Sequence, residues 1–473
     1  MTLIRIPPRI RGEILDIEKT GKVLDEVLKC IESSFKADGS LDIAVLSKCK
    51  REYGIHFTQV RQSDIPRDRK WISLFFAGVE DIVHTLEEHP LMVRLGEWFE
   101  PSYGNALYLC LTSWGIISGV RNLGAKDFFY FNDEKIRERS ILLRYLAPAI
   151  TRAQYVKTFV FTKEDWEKLR VEGKNCYMFM CSEPVNELPE EVREYIQWGE
   201  TECRTQIRGT RGGGRICSEA EACKARARHP EGFKGWYDLG GYIPAPVMAI
   251  RQAFYHPQFF LCTLSVVTYD AIITFVPLVR VETSFIKYDP KDYRRYLPRV
   301  RRNIVLTESE LKALLAYLNS TFNWLWLEQT GRRTGGGIIA LEVQHARDMP
   351  VINIKKLDKK EIEELAQLFD KLELAARKGS WRSKMDMFKD LKGIFVEIDR
   401  KIAEVLEIPV DVEWLWDAAW EMMERRVKGA RGPTRPGAEI TIDVGGRRRR
   451  GRGSASSESP HAVPLDKWLR LEE

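Results

Sequence analysis

The chain has 473 residues, a net charge of +6, 44% hydrophobic residues and 30% charged residues. At about 150 residues per domain this length suggests roughly three domains, and the apolar content excludes a disordered or fibrous chain. So modest a net charge cannot by itself attract nucleic acid, so any such affinity has to come from local clusters of basic residues, which occur at 204–228, 294–302, 332–333 and 425–452.

Residues 1–90 read as mixed α/β. A helix is predicted over 22–35, with Val23, Leu24, Val27, Leu28 and Ile31 on one face, followed by a short strand at "DIAVL". The start, "MTLIRIPPRIRGEILDIEK", lacks the apolar stretch of a secretory signal, and the nine cysteines form no CxxC pair. Both features predict a reducing, cytoplasmic compartment.

From 91 to 355 the pattern turns strand-rich and irregular, with strands predicted at "DFFYF", "KTFVF" and "NCYMFMC". The most apolar run, "FFLCTLSVVTYDAIITFVPLV" from Phe259, is interrupted by Tyr269 and Asp270 and predicts two buried strands and no membrane span. Residues 203–235 form a long loop rich in Arg and Gly, and loops of this length are usually functional or disordered. A capping box, Thr307-Glu308-Ser309-Glu310, opens a helix with Leu311, Leu314, Leu315, Leu318, Phe322 and Leu325 at helical spacing. That helix ends at "TGRRTGGGIIALEVQHARDMPV".

Residues 356–428 read as a helical domain. Asp358 caps a first helix that Gly379 ends, and Phe388, Leu391, Phe395, Ile398, Ile402 and Val405 mark an antiparallel second. Residues 429–473 are a basic, low-complexity tail closing in a docking segment with Leu465, Trp468 and Leu469. The predicted fold class is therefore α+β: a small mixed α/β region, an irregular strand-rich domain and a helical domain.

A nucleotide-hydrolase loop needs glycines after a strand, then Lys and Ser/Thr. Neither "GRRTGGGII" nor "RGTRGGGRI" at 208–216 has that order. Both place arginines beside residues without side chains, which lets backbone amides approach a phosphodiester while guanidinium groups pair with phosphate or guanine. A solvated loop has the same composition. In "GFKGWYDLGGY", aromatic residues follow directly on Arg226 and Arg228, and can either hold unstacked bases or fill a core. Cys203, Cys217, Cys223 and His229 lack the spacing of a zinc site, and no histidine stands in a hydrolytic arrangement. No metal site and no catalytic residue is assigned.

In order, "LGEWFEPSYG", "SGVRNLGAKDFFYF", "YLAPAITRAQYVKTFVF", "YIQWGE", "GWYDLGG" and "LLAYLNSTFNWLWLEQTGRRTGGGIIALEVQHARDMPV" resemble the carboxy-terminal half of gamma-class adenine DNA methyltransferases, including Taq-like and type IIG enzymes. The resemblance covers roughly 71–425 and rests on the order of the pieces. It implies a target recognition domain over 91–355 that lies along duplex DNA. The loops Gly119 to Lys126, Gly235 to Tyr237 and Arg332 to Gly337 would then face the duplex. The contact candidates are Lys126, Arg211, Arg215, Arg226 and Arg228, with Trp236 and Tyr237 beside them and Arg332, Arg333, Gly335, Gly336 and Gly337 in the second glycine cluster.

The family's catalytic half carries an Asn/Asp/Ser-Pro-Pro-Tyr/Phe tetrapeptide, whereas the single Pro-Pro here is Ile6-Pro7-Pro8-Arg9. Arg9 supplies neither an aromatic face for a flipped base nor an acceptor for its amine hydrogens. The glycine-rich turn that approaches the cofactor in a Rossmann-like site is also missing from 1–90. The resemblance therefore implies a specificity subunit with no cofactor of its own. Its partner would be a separately encoded catalytic methyltransferase chain that binds S-adenosylmethionine, with residues 1–90 available for docking. A truncated type IIG enzyme and an RNA-binding or structural subunit are the alternatives.

Overall fold

The computed structural model describes residues 2–5, 20–36, 42, 45, 49, 56–59, 79–105, 123–206, 214–230, 232–286 and 301–429. All of them belong to one compact unit, Met1–Pro433. Helices and strands mix throughout, as expected of an α+β chain. The tail, Arg211 and the docking segment lie outside the described residues.

At the amino end, β1 (Thr2–Arg5) pairs antiparallel with β2 (His56–Gln59), and α1 (Thr20–Ser33) occupies the stretch where a helix is predicted. Of the strand expected at "DIAVL", Val45 is instead helical, its amide donating to the Asp42 carboxylate at 3.2 Å. After α2 (Val79–Glu88), the short strand β3 (Met92–Arg94) leads into β4 (Phe99–Gly104).

The strand expected over 127–131 starts as α3 (Lys126–Phe129) and becomes β5 only at Tyr130–Phe131. Phe128 and Phe129 are both fully buried, and a single turn of helix places the two rings edge to face, 5.1 Å apart. The next elements are α4 (Asp133–Glu138), β6 (Leu146–Ile150), β7 (Val160–Phe161), α5 (Lys163–Val171), β8 (Tyr177–Phe179) and α6 (Glu190–Thr201). The loop expected over 203–235 contains a two-stranded ladder, β9 (Arg204–Thr205) with β10 (Arg215–Ile216), and then α7 (Glu221–Ala227). A disulfide, Cys203–Cys217, ties the base of that ladder, and a second joins Cys30 to Cys49.

β11 (Val247–Ile250), β12 (Gln252–Ala253), β13 (Phe259–Cys262), β14 (Val267–Pro277) and β15 (Val279–Glu282) follow. An eight-stranded sheet has the order β5-β8-β6-β14-β11-β13-β7, with β4 also on β14. β14 is its spine, pairing antiparallel with β11 and β4 and parallel with β6. Its register shifts between Tyr269 and Ile273, and Asp270 there has a φ of +48°.

This sheet divides two cores. Val247, Ala249, Phe259, Leu261, Ile273 and Phe275 point into one. Met248, Phe260, Cys262 and Ile272 point into the other. The alternation follows from the two-residue period of a strand, and burial of both faces explains why these strands are apolar throughout.

The first core is completed by helices. β16 (Arg301–Thr307) leads into α8 (Glu308–Leu318), capped as predicted by Thr307 and Glu310. The predicted single helix breaks at Asn319-Ser320. Asn319 hydrogen-bonds both backbone groups of Phe259 at 3.0 Å, and the Ser320 hydroxyl accepts the Asn323 amide to start α9 (Thr321–Thr330). The break thus fastens the helices to β13. β17 (Arg332–Thr334), β18 (Ile338–Ala340), α10 (Val343–Asp348) and β19 (Pro350–Ile352) come next. α11 (Lys359–Lys378) starts at the predicted Asp358 cap, completed by Glu361 into a capping box, and stops at Gly379. The predicted second helix is two, α12 (Lys384–Asp390) and α13 (Lys392–Val405), and α14 (Val412–Gly429) adds a helix the sequence reading did not place. α8 packs on α11, and α9 packs on α14. Among the described residues no helix is long and apolar enough to cross a membrane.

Candidate nucleic-acid interface

The "GRRTGGGII" segment is a β-hairpin. Gly331 ends α9, its amide donating to the Leu327 carbonyl at 2.8 Å, and any Cβ there would strike that carbonyl and the Ile339 side chain. β17 and β18 then pair antiparallel, Arg332 opposite Ala340 and Arg333 opposite Ile339, while β12 lines the other edge of β18. Gly336 and Gly337, at φ of +81° and +77°, make the reversal, a backbone region that favours glycine. A Cβ on Gly335 or Gly336 would meet nothing within 4 Å, so the tip of the hairpin is open on that side.

Arg332 is exposed but oriented. Its Nε and Nη2 both reach Glu342 Oε1, at 2.7 and 2.6 Å. Glu342 also accepts from the Tyr103 hydroxyl and from Arg251 Nη2 at 3.4 Å. Arg251 in turn pairs with Asp270 at the β14 bulge and lies 4.5 Å over the Tyr103 ring. Burial alone would raise the Glu342 carboxyl, but hydrogen bonds from Tyr103 and Arg332, with the charge of Arg251, hold it below the usual carboxylate range. It therefore stays an anion that grips the Nε edge of Arg332 and leaves Nη1 without a partner among the described residues.

Arg333 is the other exposed guanidinium of the hairpin. Partial burial pulls its pKa below the ordinary arginine value, with neighbouring Arg426 adding to the shift and Glu328 opposing it. Those two neighbours form the anchor of the hairpin. Glu328 on α9 and Arg426 on α14 are buried, with side chains 0% and 2% exposed, and pair at 2.8 Å. The Arg426 guanidinium also donates to the carbonyls of Gly337 and, at 3.0 Å, Phe254. Trp324 Nε1 donates to Glu328 at 3.2 Å. One guanidinium thus joins α14, the hairpin turn and the segment after β12.

Three contact candidates are corrected. Arg226 is wholly buried and donates to the carbonyls of Trp236 (2.8 Å) and Leu123 (3.0 Å). Trp236 is buried against Phe128, with Nε1 on Glu200 at 2.9 Å. Tyr237 is buried with its hydroxyl on the Glu183 carbonyl at 2.8 Å. All three belong to the second core, and Gly235 is small because a Cβ would run into the Tyr237 ring. Gly337 is buried beneath its turn, whereas Gly335 and Gly336 are exposed.

Lys126 and Arg228 are exposed, and Arg215 is half-buried and paired with Glu221 at 2.7 Å. These three sit on elements of the second core, whereas the hairpin grows from a helix of the first. Sequence reasoning missed Tyr103, Arg251, Asp270 and Glu342, which stand in no basic or glycine-rich run, and Arg426, which opens the 425–452 basic cluster but turns inward. Among the described residues no group of three His, Cys, Asp or Glu side chains could hold a metal. The cavity between β3 and α9 is lined by Glu87, Glu97 and Asp348 against Arg94, the wrong balance of charge for a phosphate.

Residues 108–208 match the family model of the C-terminal domain of Type II methyltransferase M.Eco57I. This stretch builds much of the second core and stops short of the hairpin. The Type II methyltransferase M.AccI of Acinetobacter calcoaceticus is 24% identical over 254 residues, which are 54% of this chain and 38% of that protein. Among solved structures, the type IIG restriction endonuclease BpuSI aligns with a TM-score of 0.43 and 11% identity, over 86% of this chain and 39% of that one. The chain spans about two-fifths of the length of these proteins. Over these stretches the chain is similar to type II methyltransferases.

Proposed function

We propose that this chain is the DNA-recognition part of an adenine-specific type II methyltransferase system. It grips duplex DNA and presents it to a separate chain that binds S-adenosylmethionine and methylates a flipped adenine. The observation that carries this reading is the arginine hairpin: an exposed guanidinium held by an ionised carboxylate, beside an open glycine tip. A guanidinium whose Nε edge is fixed loses less rotamer entropy on meeting a phosphate or a guanine edge than a free one. Catalysis is assigned elsewhere because neither the Pro-Pro tetrapeptide nor the cofactor turn is found in this sequence. Lys126, Arg215 and Arg228 remain phosphate-contact candidates on a separate part of the surface, and Arg211 a candidate outside the described residues.

The test is duplex binding by the full chain across a salt series, with Arg332→Ala and Arg333→Ala compared. A base-reading arginine loses about 1–3 kcal/mol on replacement and relaxes specificity at one position; a phosphate contact weakens all sequences alike and reduces the salt slope by about one. Binding unchanged in both variants refutes the interface. Stronger binding of RNA than of duplex DNA at the same salt would favour the RNA-subunit reading. Co-purification with a chain bearing the tetrapeptide tests the division of labour, and methyl transfer by this chain alone overturns it.

A further inference from the structure

We infer that Phe254 is a wedge that this interface presses into the DNA base stack. This rests on the DNA-recognition reading and adds an element to it that is not electrostatic. Phe254 is 42% exposed and belongs to neither core, in a chain where most phenylalanines are wholly enclosed. Leaving such a ring partly in water forgoes some of the stabilisation that burial gives the enclosed phenylalanines.

Its backbone, by contrast, is tightly held. The Phe254 carbonyl and the Gly337 carbonyl accept from the same buried Arg426 guanidinium. One residue earlier, β12 is hydrogen-bonded to β18, Ala253 opposite Ile339. The backbone that carries the exposed ring is therefore held beside the Gly337 turn, and the neighbouring Tyr255 ring, 6.3 Å away, packs against the first core. Ala340 pairs with both Gln252 and Arg332, and Ile339 with both Ala253 and Arg333, so exposed Gln252, Arg332 and Arg333 and the bare glycine turn belong to the same small sheet as the segment that carries the ring. A single aromatic face among cationic and amide side chains suits a nucleic acid, where phosphates meet the arginines and a base face meets the ring. Among the described residues of this small sheet and its turn, an apolar protein partner would find one exposed large apolar side chain.

A wedge has to separate stacked bases, and that cost is lower at a mispaired step. The full chain is measured against two pools of random-sequence duplexes about three helical turns long, one fully paired and one with a single central mismatch. The unaltered chain is expected to bind the mismatched pool several-fold more tightly. Phe254→Ala is expected to bind both pools equally and to lose about five- to a hundredfold on the mismatched one, with an unchanged salt slope. Phe254→Trp should restore the preference. Because the ring is exposed, the urea midpoint of Phe254→Ala should match the parent, which separates the effect from misfolding. If Phe254→Ala keeps both affinity and preference, the wedge is wrong, whether or not that variant loses a co-purifying protein. If Arg333→Ala then still weakens duplex binding, the recognition reading survives without it. A parent chain that binds neither pool overturns both.

Discussion

Asp399 is a carboxyl group buried in the first core, where it receives the amide of Thr321 at 2.8 Å and also its hydroxyl. Burial outweighs these hydrogen bonds and pushes its pKa up to about 7. Between about pH 4, where an unfolded aspartate ionises, and about pH 7, the folded chain keeps a proton that the unfolded chain has released. Its contribution to stability is therefore full below that window and fades as pH rises through it, on the order of 1 kcal/mol per pH unit. Asp399→Asn keeps an acceptor for the Thr321 amide and has no proton to lose. Its urea stability relative to the parent should improve steadily from about pH 4 to pH 7, and parallel pH profiles would refute the assignment. Elsewhere single residues were only partly legible in the sequence. Arg332 and Arg333 stood out by adjacency to glycine and are exposed, whereas Arg226, equally basic and equally near aromatic residues, turns inward to two carbonyls. Composition does not say which way a guanidinium points; Glu342, its counterpart at Arg332, lies ten residues along the chain, and Tyr103 lies across a sheet.

At the scale of elements, local chemistry was readable wherever it was self-contained. The Thr307 capping box, the Asp358 cap and the Gly379 stop fall where the sequence puts them, because each is completed within four residues. The break at Asn319-Ser320 and the helical start of "DFFYF" were not readable, because a distant strand and a neighbouring set of rings decide them. α14 went unread although it anchors the hairpin. Arg426→Ala would leave the Glu328 carboxylate buried with Trp324 as its remaining hydrogen-bond donor among the described residues, at a cost of about 3–5 kcal/mol. Arg426→Met combined with Glu328→Gln should cost clearly less than the sum of the two single changes. A double-mutant cycle in urea that proves additive would show that the pair does not act as a unit.

Across the whole molecule, the sequence reading separated a strand-rich domain at 91–355 from a helical one at 356–428. In the structure α11 packs on α8, and both helices share the first core with β11, β13 and β14. The same three strands supply the second core from their other face. Neither core can open while the sheet stays intact, so calorimetry of residues 1–433 should show one cooperative transition, and two resolved transitions would contradict the shared sheet.

On the proposed DNA-recognition reading, the shared sheet also constrains how such a protein can change its target. Deleting one residue within β11 would turn Val247 and Met248 to opposite sides and unsettle both cores together. Wholesale exchange of either half with a cousin is barred for the same reason. New specificities would then have to arise at the periphery, by altering the hairpin and the loops while the scaffold behind them is inherited whole.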